Sequence, residues 1–508
     1  MGGRMKRLLL ATASVLAISS PAKADPFSLA VAALGTAQAA ATGSLLSLGA
    51  FSGLGVDFAI RAGLGAALNA MTTKPTGTVS SGYRVNTIGA ALPHQIIYGE
   101  TVIGGVCFYQ SLTTASTAGD LLHRVVAFAG HEVDSFQAIY VNGEEVTLDV
   151  DGNVTAPAKW VGLIRIKQWL GTSTQTADPD LVAEVTEWTV DHRAQGIAAL
   201  YARFKGASNF PNGVPVVTVK IRGRKIEDSR TSTTAWSDSP AMCLRDYVLA
   251  SFGLDETAAN VNDTLFGAAA DICEETVSGS DRYTCNGAFT VDAAPEDIIR
   301  AISSSMGGTF WNYAGQWAAL AAAYVEPTLT LTDDDLRTEI NVATRHSRRD
   351  TFNGVQGVYR GAETEWQDDG YPKIHPGLFR VEDKNIEAIT DLSLPFTDTS
   401  AMAARIASTF LRRNRHQETV SAGWGLRALG LKIGDTVKLT NTHQNWSEAV
   451  FEVVDWRVGV GAGGDIVINM ILRQTSTEVF DGIVRTLADA AGTDIADAAG
   501  NLIESVVA

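Results

Sequence analysis

Two dipeptides constrain this chain's fold more than any other feature. Asn142-Gly143 and Asp151-Gly152 stand in AIYVNGEEVTLDVDGNVT, each between β-branched runs. Such pairs accept the positive φ values of a tight hairpin turn, and the flanking runs supply the paired strands. Downstream, VPVVTVKIRG alternates, with Val217, Val219 and Ile221 on one face and Thr218 and Lys220 on the other. A period of two is the signature of a half-buried strand. Residues 80–230 therefore read as a β-domain, interrupted by a short helix over Asp178–Trp188 with Asp178 in the N-cap position.

The period then changes. SDSPAMCLRDYVLASFGL carries Pro240 in a first turn, Leu244, Tyr247, Val248 and Phe252 at helical spacing, and Gly253 as the stop. APEDIIRAISSSMGG repeats the pattern with Ile298, Ile299, Ile302 and Met306, and TFWNYAGQWAALAA reads as a hairpin turning at Ala314-Gly315. Residues 327–395 mix strands with polar loops. A third helix, SAMAARIASTFLRRNR, places Met402, Ile406 and Phe410 on one stripe. KIGDTVKLTN, AVFEVVDWRV and DIVINMILRQ return to strands, with Ile466, Ile468, Met470 and Leu472 sharing a face. The alternation slips between Val453 and Val454, which predicts a bulge. The last residues, LADAAGTDIADAAGNLIESVVA, read as a weak helix or a mobile end.

With 508 residues the chain holds about three or four domains of roughly 150 residues each. Its formal charge of −16 argues against specific nucleic-acid recognition, which needs clustered Lys and Arg on the phosphates. The N-terminus admits two readings. Lys6 and Arg7, the apolar run Leu8–Ile18 and Ala22-Lys23-Ala24 have the layout of an export signal ending before Asp25. Yet Phe27–Val56 carries no charge and is rich in Ala, Gly, Ser and Thr, so the apolar character continues past that site. Residues 1–73 read together as an apolar helical segment that needs a partner.

No motif amounts to a catalytic site. His131-Glu132 starts like a metalloprotease helix, but Ser135 stands where the second His is required. Asp149–Asn153 imitates the start of a calcium loop, yet Trp160 occupies the position of the bidentate Glu. The Gly-rich GVGAGGD lacks the Lys-Ser/Thr of a phosphate loop and reads as a hairpin loop. Asp333, Asp334 and Asp335 read as a turn or helix start, and Glu363, Glu365, Asp368 and Asp369 as a polar loop with no acid–base pair. Arg345–Asp350 is a local basic cluster, either a solvated strand end or a subunit contact. Cys107, Cys243, Cys273 and Cys285 have no metal spacing and read as small core residues; a Cys273–Cys285 bridge is compatible but not required. No catalytic, cofactor or metal residues are assigned.

The ordered set of LPHQIIYGETVIGGVCFY, LLHRVVAFAGHEVDSFQAIYVNGEEV, SPAMCLRDYVLASFGL, RYTCNGAFTVDAAPEDIIRAISSSMGGTFWNYAGQWAALAA and GLRALGLKIGDTVKLTN resembles the tail-tip (baseplate) hub proteins of long-tailed bacteriophages. This group includes the λ-type tip attachment protein and the hub of gene-transfer-agent particles. The resemblance spans roughly residues 80–475. It implies a multidomain, β-rich α+β chain with two β-barrel domains related to tail-tube subunits. The expected division is an apolar segment 1–73, a first barrel 78–235, a small α+β domain 236–326, a mixed strand and loop domain 327–395, a helix plus second barrel 396–478 and a tail 479–508. The implied function is structural: a homotrimer at the virion tail tip that closes the tube, takes part in host attachment and opens for genome ejection. The implied partners are the distal tail protein ring, the tape-measure protein, tail fibre or other tip proteins, and the host membrane through residues 1–73. The rival readings are an exported β-rich surface-binding protein beginning at Asp25, secreted or periplasmic, and a tail-borne cell-wall hydrolase.

Overall fold

Alternating apolar side chains build two five-stranded sheets, face to face, from residues 87–222. The structure, a computed structural model, describes residues 86–88, 92–115, 119–313, 315–460 and 464–481, all within the unit Thr72–Ala508. The apolar segment 1–73, the turn residue Ala314 and the tail from 482 onward lie outside the described residues.

The first sheet runs, in spatial order, Thr87–Ile88, Val106–Ala115, Gly119–Ala129, Ala198–Lys205 and Ile164–Trp169. The second runs Glu100–Gly104, Val217–Arg222, Ser135–Val141, Glu144–Leu148 and Val154–Ala156. Between them Ile103, Val126, Phe128, Ile139, Ile164, Leu200, Val219 and Ile221 form one core. Both predicted hairpins are present: Asn142 and Gly143 take φ of 52° and 81°, and Gly152 takes 83°. Helix α1 (Pro179–Glu184) starts where Asp178 Oδ1 accepts from the N–H groups of Asp180 and Leu181. It covers the outer face of the first sheet by packing Leu181, Val185 and Trp188 on Val125, Trp169 and Tyr201.

The sheets do not close into the barrel that the resemblance implies. The chain crosses from the second sheet to the first at Gly105, where a Cβ would sit 2.5 Å from the Ala127 carbonyl oxygen. On the opposite side a lone bridge, Asn153 with Arg165, joins the layers. Pairing is interrupted at both corners, so the described wall is a sandwich linked at its corners.

The central part gathers distant segments. Strand Gln95–Tyr98 leaves the sandwich and pairs with Gly287–Thr290. Around this pair lie α2 (Pro240–Leu249), α3 (Asp263–Cys273), α4 (Pro295–Ser305) and the hairpin of Thr309–Tyr313 with Gln316–Leu320. The predicted Leu244, Tyr247, Val248, Ile298, Ile302 and Met306 are all buried here. Helix α3 has no counterpart in the sequence reading. Asn262 caps it, and its small residues Ala269 and Ala270 are buried. Residues from 352–396, which include α5 (Gly377–Glu382), and from α6 (Ser400–Arg415) join the same core through Val355, Leu394, Met402, Ile406 and Phe410. All four cysteines are free thiols and buried, as the composition suggested.

The last module is an open six-stranded sheet ordered Leu329–Leu331, Thr436–Asn441, Trp446–Val460, Ile466–Gln474, Thr419–Trp424 and Asn341–Ala343. The predicted bulge is present, as a register shift between Val453 and Asp455. Its end strands pair with nothing further among the described residues, so this sheet too is open where the resemblance implies a barrel. Helix α7 (Thr477–Asp481) follows it. No helix among the described residues is long and apolar enough to cross a membrane.

Candidate functional site

The residues singled out for chemistry are held in structural bonds and do not converge. His131 Nε2 accepts from the Ile97 N–H at 3.0 Å, and its Nδ1 lies 2.7 Å from the Glu132 carbonyl oxygen. Burial pushes its pKa down to about 4, so the ring is a neutral clamp between strands. Asp149 Oδ1 accepts from the N–H groups of Asp151 and Asn153 at 2.9 and 2.8 Å, which closes a turn. Trp160 stacks on Phe210 with centroids 6.1 Å apart. Asp333 accepts from Asn441 and Thr442, and Asp335 from Arg427 and the Thr332 N–H. Glu363 accepts from the Tyr359 hydroxyl and the Ser400 N–H, while Asp368 pairs with Arg360. Arg345, Arg348 and Arg349 are exposed and form no ion pair among the described residues. No group of His, Cys, Asp and Glu among the described residues is placed to hold a metal ion.

An exposed apolar stripe lies elsewhere, on the last sheet. Strand Trp446–Val460 is 15 residues long, whereas its neighbour Thr436–Asn441 has 6 and reaches only as far as Glu452. On the other side Thr419–Trp424 stops opposite Ile468. The tip of the hairpin therefore overhangs the sheet. Its pairs Trp456–Met470, Val458–Ile468 and Val460–Ile466 lie on one face, because alternate residues share a side. Met470 and Ile468 are buried in the core, but Val458, Val460 and Ile466 are each more than half exposed. The core-facing stripe thus runs past the end of the core. Beside it the turn Leu426–Gly430 is tied on by the Trp456 Nε1–H, which donates to the Ala428 carbonyl at 3.3 Å. Leu426 and Leu429 of that turn are also at least half exposed. Exposed apolar side chains grouped in this way form a surface that a partner can cover. The sequence reading put Ile466 on one face with Ile468, Met470 and Leu472, and the period shows which side is apolar but not whether anything covers it.

Behind the overhang, buried charges fix the sheet to the centre. Glu452 Oε2 accepts from Arg473 Nη2 at 2.8 Å, and its Oε1 lies 3.9 Å from Arg413 Nη2. Burial opposes ionisation of Glu452, but the two guanidinium groups outweigh it and hold the carboxyl below its usual range. Arg413, on α6, also donates to the Gly307 carbonyl at 3.1 Å and lies over the Phe480 ring of α7. A second junction links the sandwich to the centre. There Asn286 Oδ1 accepts from the Glu100 N–H at 2.7 Å, and its Nδ2 donates to Asp398 at 2.9 Å. Gly99 at φ 63° passes so close that a Cβ would lie 2.1 Å from the Cys285 carbonyl oxygen.

No family model matches the chain, and no curated protein matches it. Solved structures do. A chain of the virion of a native gene transfer agent particle is 17% identical with a TM-score of 0.54, covering 89% of this chain and 97% of that one. A tail protein from Neisseria meningitidis MC58 is 10% identical with a TM-score of 0.31, covering 75% and 98%. A prophage tail protein from Listeria monocytogenes EGD-e is 8% identical with a TM-score of 0.25, covering 72% and 87%.

Proposed function

We propose that this chain is a structural tail protein of a phage-like particle: a homotrimeric hub at the tail tip that closes the tube until the tip engages a cell. The observation that carries the reading is the fold shared with a chain of the gene-transfer-agent virion across 89% of this sequence. The site geometry supports it. The described surface offers an overhanging apolar hairpin and open sheet edges, which suit permanent packing against other subunits. Mechanically, the paired buried charges and the glycine contact at the two junctions hold the modules rigid, while the exposed stripe docks on a neighbour. The proposed neighbours are a distal tail ring, a tape-measure protein and tip fibres. Residues 1–73 are assigned to the tube lumen or the host membrane. The proposed division into 78–235, 236–326, 327–395 and 396–478 follows the changes of period.

Electron microscopy of particles labelled by antibody to this chain tests the proposal. Label confined to one end of the tail, with threefold averages at that end, is the expected result. Absence of the chain from purified particles would sink it.

A further inference from the structure

Arg124 stands in the strand Gly119–Ala129, inside the apolar run LLHRVVAFA. Alternation puts it on the inward face with Leu122, Val126 and Phe128, which pack into the sandwich core. Across the ladders it faces Gln110 on one side and Ala202 on the other. Only 6% of the residue is exposed, and its Nε is buried with no acceptor. It forms no ion pair with any described residue.

Other arginines with little exposure differ in having a carboxylate partner, even where, as at Arg165, the Nε is also unpaired. Arg245, 5% exposed, reaches Asp263 at 2.6 Å and Glu227 at 3.4 Å. Arg165 and Arg203, on the same sheet as Arg124, both reach Glu184. A guanidinium whose Nε is desolvated and which has no counter-charge costs stability, so a charge in this position favours a partner at its Nη end, which is not buried in the same way. The approach is open. Leu112, paired opposite Leu122 on the same inward face, is 64% exposed, and Gln110 next to it is exposed as well. Arg124 therefore lies at a mouth of the sandwich, with an apolar rim on one side.

We propose that Arg124 is the receptor for a carboxylate from a second copy of this chain, inserted so that the residue beside it packs on Leu112. A guanidinium fork matches a carboxylate in two parallel hydrogen bonds. A second copy is the occupant that charge favours, since each chain carries 56 acidic against 40 basic residues. The site is incomplete without that copy. The inference rests on the homotrimeric reading above.

The test compares the full chain with Arg124→Met and, at the exposed rim, Leu112→Ser. Self-association is read by sedimentation velocity, and thermal midpoints are read at dilutions where the chain is monomeric. Each variant is expected to weaken self-association by about tenfold or more. Arg124→Met is expected to leave the monomer's midpoint unchanged or raised, because it removes an unpaired buried charge. A lowered midpoint with self-association intact would make Arg124 a fold-supporting residue and overturn the inference. Intact self-association with loss of the variant from particles would assign the carboxylate to another tail protein and overturn the second-copy assignment. Particle labelling is independent of both outcomes, so the hub reading stands or falls separately.

Discussion

Asp238 shows how a single residue at a junction sets a pH response. Burial pushes its carboxyl up to about 6, and the nearby Asp398 and Asp281 add to the shift while Arg222 opposes it. Asp398 is itself raised, by burial first, although Thr284 and Asn286 donate to it. A raised carboxyl favours the folded state when protonated. Its contribution is therefore full below the unfolded value near 4 and is lost as pH rises through 6. The rise from the ordinary carboxyl value to about 6 corresponds to roughly 3 kcal/mol. Asp238→Asn should then be more stable than the parent by about 1–3 kcal/mol at pH 8, with the gap nearly closed at pH 4. Urea titrations across that range check it; a gap independent of pH refutes it. His131 titrates the other way. Its folded value near 4 lies below the ordinary one, so both proteins lose stability together as pH falls from about 6.5 towards 4.

At the scale of elements, the overhanging hairpin separates folding from assembly. Ile468 and Met470 are core residues, whereas Val460 and Ile466 extend the same stripe into solvent. Replacing the two exposed residues should touch stability little, because exposed substitutions usually lie within about 0.5 kcal/mol. The double variant Val460→Ser, Ile466→Ser is expected to keep the parent's denaturation midpoint and to be depleted from particles. Normal incorporation would show that the stripe is not a docking surface. The bulge after Val453 and both hairpin turns were legible because each depends on a few consecutive residues. Helix α3 was not, since only Phe266 and Cys273 stand among the small residues Gly267, Ala269 and Ala270 on its buried face, which blurs the helical period.

For the molecule as a whole, the charge triad Arg413–Glu452–Arg473 links α6 to the last sheet, and Arg413 also lies over the Phe480 ring of α7. Glu452 is the only carboxylate paired with Arg413 among the described residues. Glu452→Gln leaves two guanidinium groups with no counter-charge between them and should cost about 3–5 kcal/mol. Guanidinium-free urea denaturation measures it, and a cost below about 1 kcal/mol would mean that apolar packing alone holds the sheet in place.

The sequence by itself determined the kind of most major elements, α3 excepted, together with the hairpin turns and the bulge. These follow from dihedral preference and side-chain period, which act over a few residues. Tertiary structure alone decided the rest. Strand Gln95–Tyr98 pairs with Gly287–Thr290 across 189–195 positions. The wall stays a sandwich because pairing breaks at Gly105 and narrows to the bridge of Asn153 with Arg165. Arg124 and Arg245 look alike in sequence, yet one is paired and the other is not. Such outcomes depend on which distant segment arrives opposite a residue, and a local pattern carries no information about that.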